Sequence, residues 1–279
     1  MPFYKKNNLL FFILLLLQIT VAQTLPSVNI TVNDGLPSNG IKCFFKDSRG
    51  LFWIGTDAGL CCYNGSSYKT YNETNGLKYP EVWSIVEDEN KNLWLSLYGN
   101  GLAKFDGKKF TYYNEKNGLV NNSIRKIHYS KKHKCLILAT ENGLGLFDGK
   151  YFKSFVKKTK MGKFQITGID ETSDKILITS SYCGVSKLSI NSPIRWPTLD
   201  SLFCTYTSYS SHLTKNTYYT GSPDLNLGII KLSDKREKNI PCPIIWDFEN
   251  DERNNIYCAA WNVIDPDGGL FKYSNNVLT

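Results

Sequence analysis

The chain has 279 residues, a formal charge of +8, and 14% aromatic residues beside 21 Gly and only 2 Met. That length suits one large domain or a single repeat fold, and the aromatic and glycine excess favours half-buried strands joined by tight turns over helices. The basic surplus is mild, and its densest runs, Lys131-Lys132-His133-Lys134 and Lys157, Lys158, Lys160 and Lys163, fall between apolar segments. Solvated turns account for them, so no nucleic-acid partner is expected.

The first residues read as an export signal: Lys5 and Lys6 form the charged start, residues 9–17 the apolar stretch, and Thr20-Val21-Ala22 the small-residue cleavage site. Residues 1–22 are the expected signal peptide and residues 23–279 the mature chain. The apolar run is short for a bilayer and is broken by Gln18 and Thr20. Without Lys5 and Lys6 the balance is 31 basic against 25 acidic residues, or +6. The first cysteine is Cys43, so no lipid-bearing cysteine follows the cleavage site. Eight cysteines in an exported chain permit four disulfides. Their scatter gives no C-x-x-C pair and no metal spacing, and Cys43 and Cys258 lie inside apolar runs where a small buried hydrophobe is expected.

A period dominates the rest. The first unit reads Asp34-Gly35-Leu36, an apolar run over residues 41–45, the polar turn Lys46-Asp47-Ser48-Arg49-Gly50, the run Leu51-Phe52-Trp53-Ile54-Gly55-Thr56, then Gly59-Leu60-Cys61-Cys62-Tyr63-Asn64-Gly65 and Tyr68-Lys69-Thr70-Tyr71. The second repeats it from Asn75-Gly76-Leu77 to Tyr113, and the third from Asn117-Gly118-Leu119 to Phe155. The glycine opening the third run recurs at Gly59, Gly101, Gly143, Gly184, Gly228 and Gly269, with differences of 42, 42, 41, 44 and 41. Units four to six lose the Trp and the Asp-Gly turn but keep the skeleton. Each unit holds four short runs between turn signals, and Asn64-Gly65, Asp106-Gly107 and Asp148-Gly149 are hairpin dipeptides. One unit is therefore a four-stranded antiparallel sheet that cannot cover both its faces alone. Stacked radially, such units form an all-β propeller of six blades, or seven in an intact protein, with Leu51, Trp53 and Leu93 filling the space between blades.

At the ends, residues 28–32 match the outer strand and link that begin at Phe110, while Val277-Leu278-Thr279 stops where the sixth outer strand should begin. The expectation is that the N-terminal strand completes the last blade, and that the chain is part of something longer.

The stretches Gly-Leu-Pro-Ser-Asn (35 to 39), Asp-Ser-Arg-Gly-Leu-Phe-Trp-Ile-Gly-Thr (47 to 56) and Gly-Leu-x-x-Tyr-Asn-Gly (59 to 65) resemble the two-component regulator propeller repeats. The likeness is close in the first two units, good in the third and weak in the last three. It implies the periplasmic sensor region of a membrane histidine kinase, including the Bacteroidetes hybrid kinases that respond to polysaccharide fragments. In an intact receptor an immunoglobulin-like domain, a membrane helix and a kinase would follow, tethering the propeller to the inner membrane and allowing a homodimer. This sequence contains no phosphoacceptor helix and no nucleotide-binding glycine motif, so the chain itself is not expected to phosphorylate anything.

Catalytic signals are thin. His128, His133 and His212 are the three histidines, and no G-x-S-x-G or H-E-x-x-H motif accompanies them. Asp265-Pro266-Asp267-Gly268 has calcium-like oxygens without the rest of a loop, and reads as a turn. No cofactor, metal or catalytic residue is expected. The N-x-S/T matches at Asn29, Asn64, Asn72 and Asn121 are what Asn-rich turns generate by chance. A propeller lyase or lactonase and a secreted adhesive or protein-docking module are the alternative functions. For a sensor, binding residues belong on the face where the links into the innermost strands and the loops before the recurring glycine emerge together. The links carry Asn39, Tyr79, Glu81, Asn121 and Asn122; the loops carry Asp57, Tyr98, Asn100, Glu141, Asn142, Tyr182 and Trp261. Aromatic faces beside amides and carboxylates suit an oligosaccharide or similar periplasmic ligand, because sugar C–H faces stack while hydroxyls take hydrogen bonds.

Overall fold

Strands that are apolar on both faces need cover on both sides, and the sheets of this chain obtain it from one another. Leu93–Leu97 is buried at every position, as is Cys135–Thr140. The computed structural model describes residues 30–156, 164–173, 175–180, 184–190, 198–203, 210–214, 217–222, 226–231, 233, 237–242, 244–251, 253, 255–261, 269–274 and 277–278. The export segment lies outside them. Residues Thr31–Thr279 make one compact unit.

Its described strands form six four-stranded antiparallel sheets, each in sequence order from the innermost strand outward. Blade 1 is β1 (Ile41–Lys46), β2 (Phe52–Thr56), β3 (Leu60–Tyr63) and β4 (Tyr68–Tyr71). Blade 2 is β5 (Val82–Glu87), β6 (Leu93–Leu97), β7 (Gly101–Phe105) and β8 (Phe110–Tyr113). Blade 3 is β9 (Ile124–Ser130), β10 (Cys135–Thr140), β11 (Gly143–Phe147) and β12 (Phe152–Phe155). Blade 4 is β13 (Ile166–Glu171), β14 (Ile176–Ser180), β15 (Gly184–Ser189) and β16 (Thr198–Phe203). Blade 5 is β17 (Ser210–Thr214), β18 (Thr217–Ser222), β19 (Asn226–Lys231) and β20 (Glu237–Pro241). Blade 6 is β21 (Ile244–Asn250), β22 (Ile256–Trp261), β23 (Gly269–Ser274) and β24 (Val277–Leu278). This is the six-bladed propeller that the glycine period predicts.

The core lies between blades. Trp53 of blade 1 packs with Ile85, Leu93 and Leu95 of blade 2, and Leu51 joins that cluster from its edge. Trp94 of blade 2 packs with Ile127, Leu136 and Leu138 of blade 3. Each such side chain withdraws enough apolar area from water to contribute about 1.5–3 kcal/mol. The same turn chemistry orients both indoles: Asp47 Oδ2 accepts from Trp53 Nε1 at 3.0 Å and Asp88 Oδ2 from Trp94 Nε1 at 2.9 Å. Blade 6 keeps the device with Tyr257, whose hydroxyl donates to Asp251 at 3.4 Å. Polar side chains stitch neighbouring innermost strands as well. Glu87 accepts from Ser48, Glu171 from Ser130, and the His128 Nε2 lies 2.7 Å from Glu171. The six described cysteines carry free thiols.

The expected N-terminal outer strand is corrected. Thr31 caps a short 3-10 turn, Val32–Asp34, and blade 6 takes its fourth strand from Val277–Leu278, which pairs with β23 through Tyr273↔Leu278 and Ser274↔Val277. Residues 28 and 29 lie outside the described residues. The physical reason is local: Thr31 N donates to Asp34 Oδ2 at 2.8 Å and Asn33 N donates to Thr31 Oγ1 at 3.2 Å. Backbone groups engaged in this reciprocal cap are withdrawn from any ladder. Asn72 with Asn75 and Asn114 with Asn117 close the same box before blades 2 and 3, so the segment before blade 1 is a link of the repeating kind.

Candidate ligand-binding face

The recurring glycine fixes where the loops go. Gly101 and Gly143 have φ of 92° and 119°, and a Cβ at either would overlap a carbonyl of the outermost strand, Tyr113 or Phe155. Only glycine tolerates that approach. Thus held, the loops ending at these glycines meet the links into the innermost strands. Asp57 N donates to Gly40 O at 3.1 Å, Gly101 N to Asn122 O at 2.9 Å, Glu141 N to Ser123 O at 3.0 Å and Gly143 N to Phe164 O at 2.7 Å. The two loop sets therefore share one end of the propeller.

A second repeated feature supplies side chains to that end. In β1, β5, β9, β13 and β21 the register with the neighbouring strand skips one residue, and the skipped residues are Lys42, Trp83, Arg125, Thr167 and Trp246. β17 pairs without a skip. A bulged residue leaves the ladder, and the local bend turns its side chain away from the regular inward and outward alternation. In blades 2 and 3 it meets the loops, at Tyr98 and Glu141. The Trp83 ring stacks on Tyr98 with centroids 4.2 Å apart and planes 13° from parallel, and its Nε1 donates to Glu81 at 2.6 Å. Lys42 Nζ lies 5.5 Å from the Trp83 centroid.

Arg125 Nε donates to Glu141 Oε1 at 2.6 Å, Tyr98 OH to the same oxygen at 2.8 Å, and Gln165 Nε2 to Glu141 Oε2 at 2.5 Å. Glu141 thus binds three donors from three blades and links them to the aromatic pair. Burial pushes the Tyr98 phenol above its ordinary range, and the hydrogen bond to Glu141 adds to the rise. The phenol therefore stays protonated as a donor. The arrangement offers a stacked aromatic plate, a cation beside it and half-buried polar groups held in fixed directions, which suits recognition of a ligand with both apolar faces and hydroxyls.

Of the residues expected on this face, Glu81, Tyr98 and Glu141 come together. Asn39 and Asn122 instead secure the links, their Oδ1 atoms accepting from Val32 N and Glu115 N at 3.0 Å each. Asn121 accepts from Ser123 N, Asn100 reaches back to Tyr98 O, and Asn142 N donates to Thr140 Oγ1. Asp57 is exposed against Gly40. Tyr79 is drawn into the core between blades 1 and 2, edge-on to Tyr112 at 5.8 Å. Trp261 ends β22, pairing with Ile244, and Tyr182 lies outside the described residues. Sequence reasoning missed Lys42, Trp83, Arg125 and Gln165. Three of these follow the aliphatic residue that opens an innermost strand, at Ile41, Val82 and Ile124, and that shared position was the available signal.

The histidines sit elsewhere. His128 joins the stitch to Glu171, His212 Nε2 lies 3.0 Å from Asn250 Oδ1, and His133 N donates to Ser130 Oγ. Among the described residues no group of three or more His, Cys, Asp or Glu could hold a metal ion, and no helix is long and apolar enough to cross a membrane.

Residues 35–58 match the family model described as a two component regulator propeller. Among solved structures, the chain is similar to the extracellular domain of the hybrid two-component system BT4673 from B. thetaiotaomicron, at 19% identity and a TM-score of 0.60, over 87% of this chain and 39% of that one. The extracellular domain of BT3049 from the same organism matches at 18% identity and 0.57, over 90% of this chain and 42% of that one. The WD40 propeller domain of Doa1 matches at 9% identity and 0.63, over 86% and 81%. At these identities the likeness is one of fold. The chain spans about two fifths of the length of the two-component relatives. No curated protein matches it.

Proposed function

We propose that this chain, a β-propeller carrying the two-component regulator propeller repeat, is the ligand-sensing part of an exported two-component receptor and takes an oligosaccharide on the face built by the bulged innermost strands. The observation that carries the reading is the Trp83–Tyr98 stack locked through Glu141 to Arg125 and Gln165. Rigid aromatic area with few rotamers to lose is what sugar faces bind well, and the surrounding donors and acceptors would fix hydroxyl orientation. Family resemblance supplies the signalling context, and the extracellular placement of the two-component relatives supports export.

The test is a titration of the chain with a panel of neutral and uronate-containing oligosaccharides, read by calorimetry and tryptophan fluorescence. Trp83→Ala and Tyr98→Ala should each weaken the binding found by about tenfold or more, since a stacked aromatic contributes on the order of 1–3 kcal/mol at such a site. Thermal midpoints should stay near that of the parent. Binding that survives both substitutions would move the site, and no binding across the panel would overturn the glycan reading.

A further inference from the structure

The dipeptide Asn-Gly occurs six times, opening at Asn39, Asn64, Asn75, Asn100, Asn117 and Asn142. It is the pair in which a backbone nitrogen attacks the preceding side-chain amide with least hindrance, because glycine places no Cβ beside that nitrogen and turns freely. In five of the six the fold withholds a reactant. Gly101 N donates to Asn122 O at 2.9 Å, Gly143 N to Phe164 O at 2.7 Å and Gly118 N to Glu115 O at 3.0 Å. Gly40 N donates to Ser38 Oγ at 2.9 Å. Asn75 is clamped at both ends of its amide, Nδ2 donating to Thr70 O and Oδ1 accepting from Asn72 N, each at 2.7 Å.

Asn64 is the exception. It opens the tip between β3 and β4, where residues 64–67 are all exposed to water, and Gly65 N has no acceptor among the described residues. Gly65 has φ of 97° and open space around its missing Cβ. Asn64 Oδ1 accepts from Ser66 N at 2.9 Å and Ser67 N at 2.8 Å, and from the two serine hydroxyls at 3.0 and 3.2 Å. When Gly65 N adds to Cγ, negative charge develops on this same oxygen. Two backbone donors already aimed at it serve as an oxyanion hole.

The repeat shows that the tip also accepts the product. In blades 2 and 3 the place of Asn64 is taken by Asp106 and Asp148. Asp106 Oδ1 accepts from Lys108 N and Lys109 N at 2.9 Å each, and Asp148 Oδ1 from Lys150 N at 2.9 Å and Tyr151 N at 2.7 Å. The amides of Lys109 and Lys108 hold the Asp106 carboxyl below its usual range. A carboxylate is therefore the acceptor that this turn favours.

We infer that Asn64 is a self-modification site, at which the folded chain deamidates through its own Gly65 nitrogen. The bond from Gly65 N to Cγ forms, the Cγ–Nδ2 bond breaks, and Nδ2 leaves as ammonia carrying the Gly65 amide proton. Water, the one co-reactant, then opens the five-membered imide. Cleavage at Cγ leaves aspartate, and cleavage at the backbone carbonyl carbon leaves isoaspartate. No oxidant or reductant takes part. The aspartate product places on blade 1 the charge that blades 2 and 3 carry at the same turn, and it is independent of where a ligand binds.

The test incubates the chain in mildly alkaline buffer, folded and unfolded in urea, and follows conversion of amide to acid at each Asn-Gly pair by mass-spectrometric peptide mapping. In urea the six pairs should react at similar rates. In the folded chain Asn64 should react at least about tenfold faster than any of the other five, and no more slowly than in urea. Asn64→Asp, which supplies the product directly, should leave the thermal midpoint unchanged or raise it by about 1–3 °C. Three results would overturn the inference. Folding that slows Asn64 as much as the other pairs would show that the tip gives the attack no help. Faster conversion at another pair would place the site elsewhere. A midpoint lowered by more than about 2 °C in Asn64→Asp would show that the turn rejects the carboxylate.

Discussion

Replacing Asp47 by alanine isolates the device that orients the first inter-blade indole. Asp47 and Trp53 are 4% and 2% exposed, and the carboxylate accepts from Trp53 Nε1 at 3.0 Å, from the backbone N of Arg49 and Leu51 at 2.9 Å each, and from the Arg49 guanidinium. The Arg49 side chain is 51% exposed, so its ion pair contributes little. The indole N–H matters most, because once buried without an acceptor it costs about 1–3 kcal/mol. The two backbone N–H groups lie in a turn where water can replace the carboxylate, and add about 0.5 kcal/mol each. The sum is about 2–4 kcal/mol, which for a domain of this size lowers the thermal midpoint by about 4–8 °C. In a Trp53→Phe background the stranded donor is gone, so the cost of Asp47→Ala should shrink by about 1–3 kcal/mol. Midpoints from far-ultraviolet dichroism of the four proteins complete the cycle. An equal cost of Asp47→Ala in both backgrounds would refute the account.

Acid should weaken the fold through the same turns. Burial by itself would raise the carboxyls of Asp47 and Asp148, but hydrogen bonds outweigh it and hold both below the usual range: Trp53, Arg49 and turn amides act on Asp47, and the Tyr151 and Lys150 amides on Asp148. A lowered folded value means their stabilisation is complete above about pH 4, the unfolded value, and is lost as pH falls through the folded one. The thermal midpoint should therefore hold steady down to about pH 4.5 and drop below it, less steeply in Asp47→Asn; a midpoint that rises in acid would contradict this. Two glycines with similar φ should respond differently to alanine. Gly101 faces the Tyr113 carbonyl and should lose about 3 kcal/mol or fail to fold, whereas Gly107, with φ of 91° and nothing near its missing Cβ, should lose about 1 kcal/mol. Matching losses in urea titrations would refute the role given to the close approach.

The fold was legible because its determinants are local and repeated. The glycine period runs through all six units, and the Asn-Gly and Asp-Gly turns of the first three act within one unit each. The candidate face was legible only in part, and the positions of its residues have physical causes. Asn39, Asn121 and Asn122 looked like ligand-facing amides, yet their carbonyl oxygens are needed by link amides that no ladder satisfies. Tyr79, expected on the binding face as a link residue, has its ring folded against Tyr112. Side chains in links between strands are placed by tertiary packing, and no periodicity announces it.

The bulges carry this point furthest. Period-two alternation assigns Trp83 and Arg125 to the faces between blades, where a tryptophan would be unremarkable and an arginine costly. One skipped residue changes the assignment for both, and the chain makes the same skip in five of the six innermost strands. What recurs is the backbone irregularity, while the residue it carries changes from Lys42 to Trp83, Arg125, Thr167 and Trp246. The skip is therefore a backbone feature that accepts different side chains, and in blades 2 and 3 it brings Trp83 and Arg125 against the loop residues Tyr98 and Glu141.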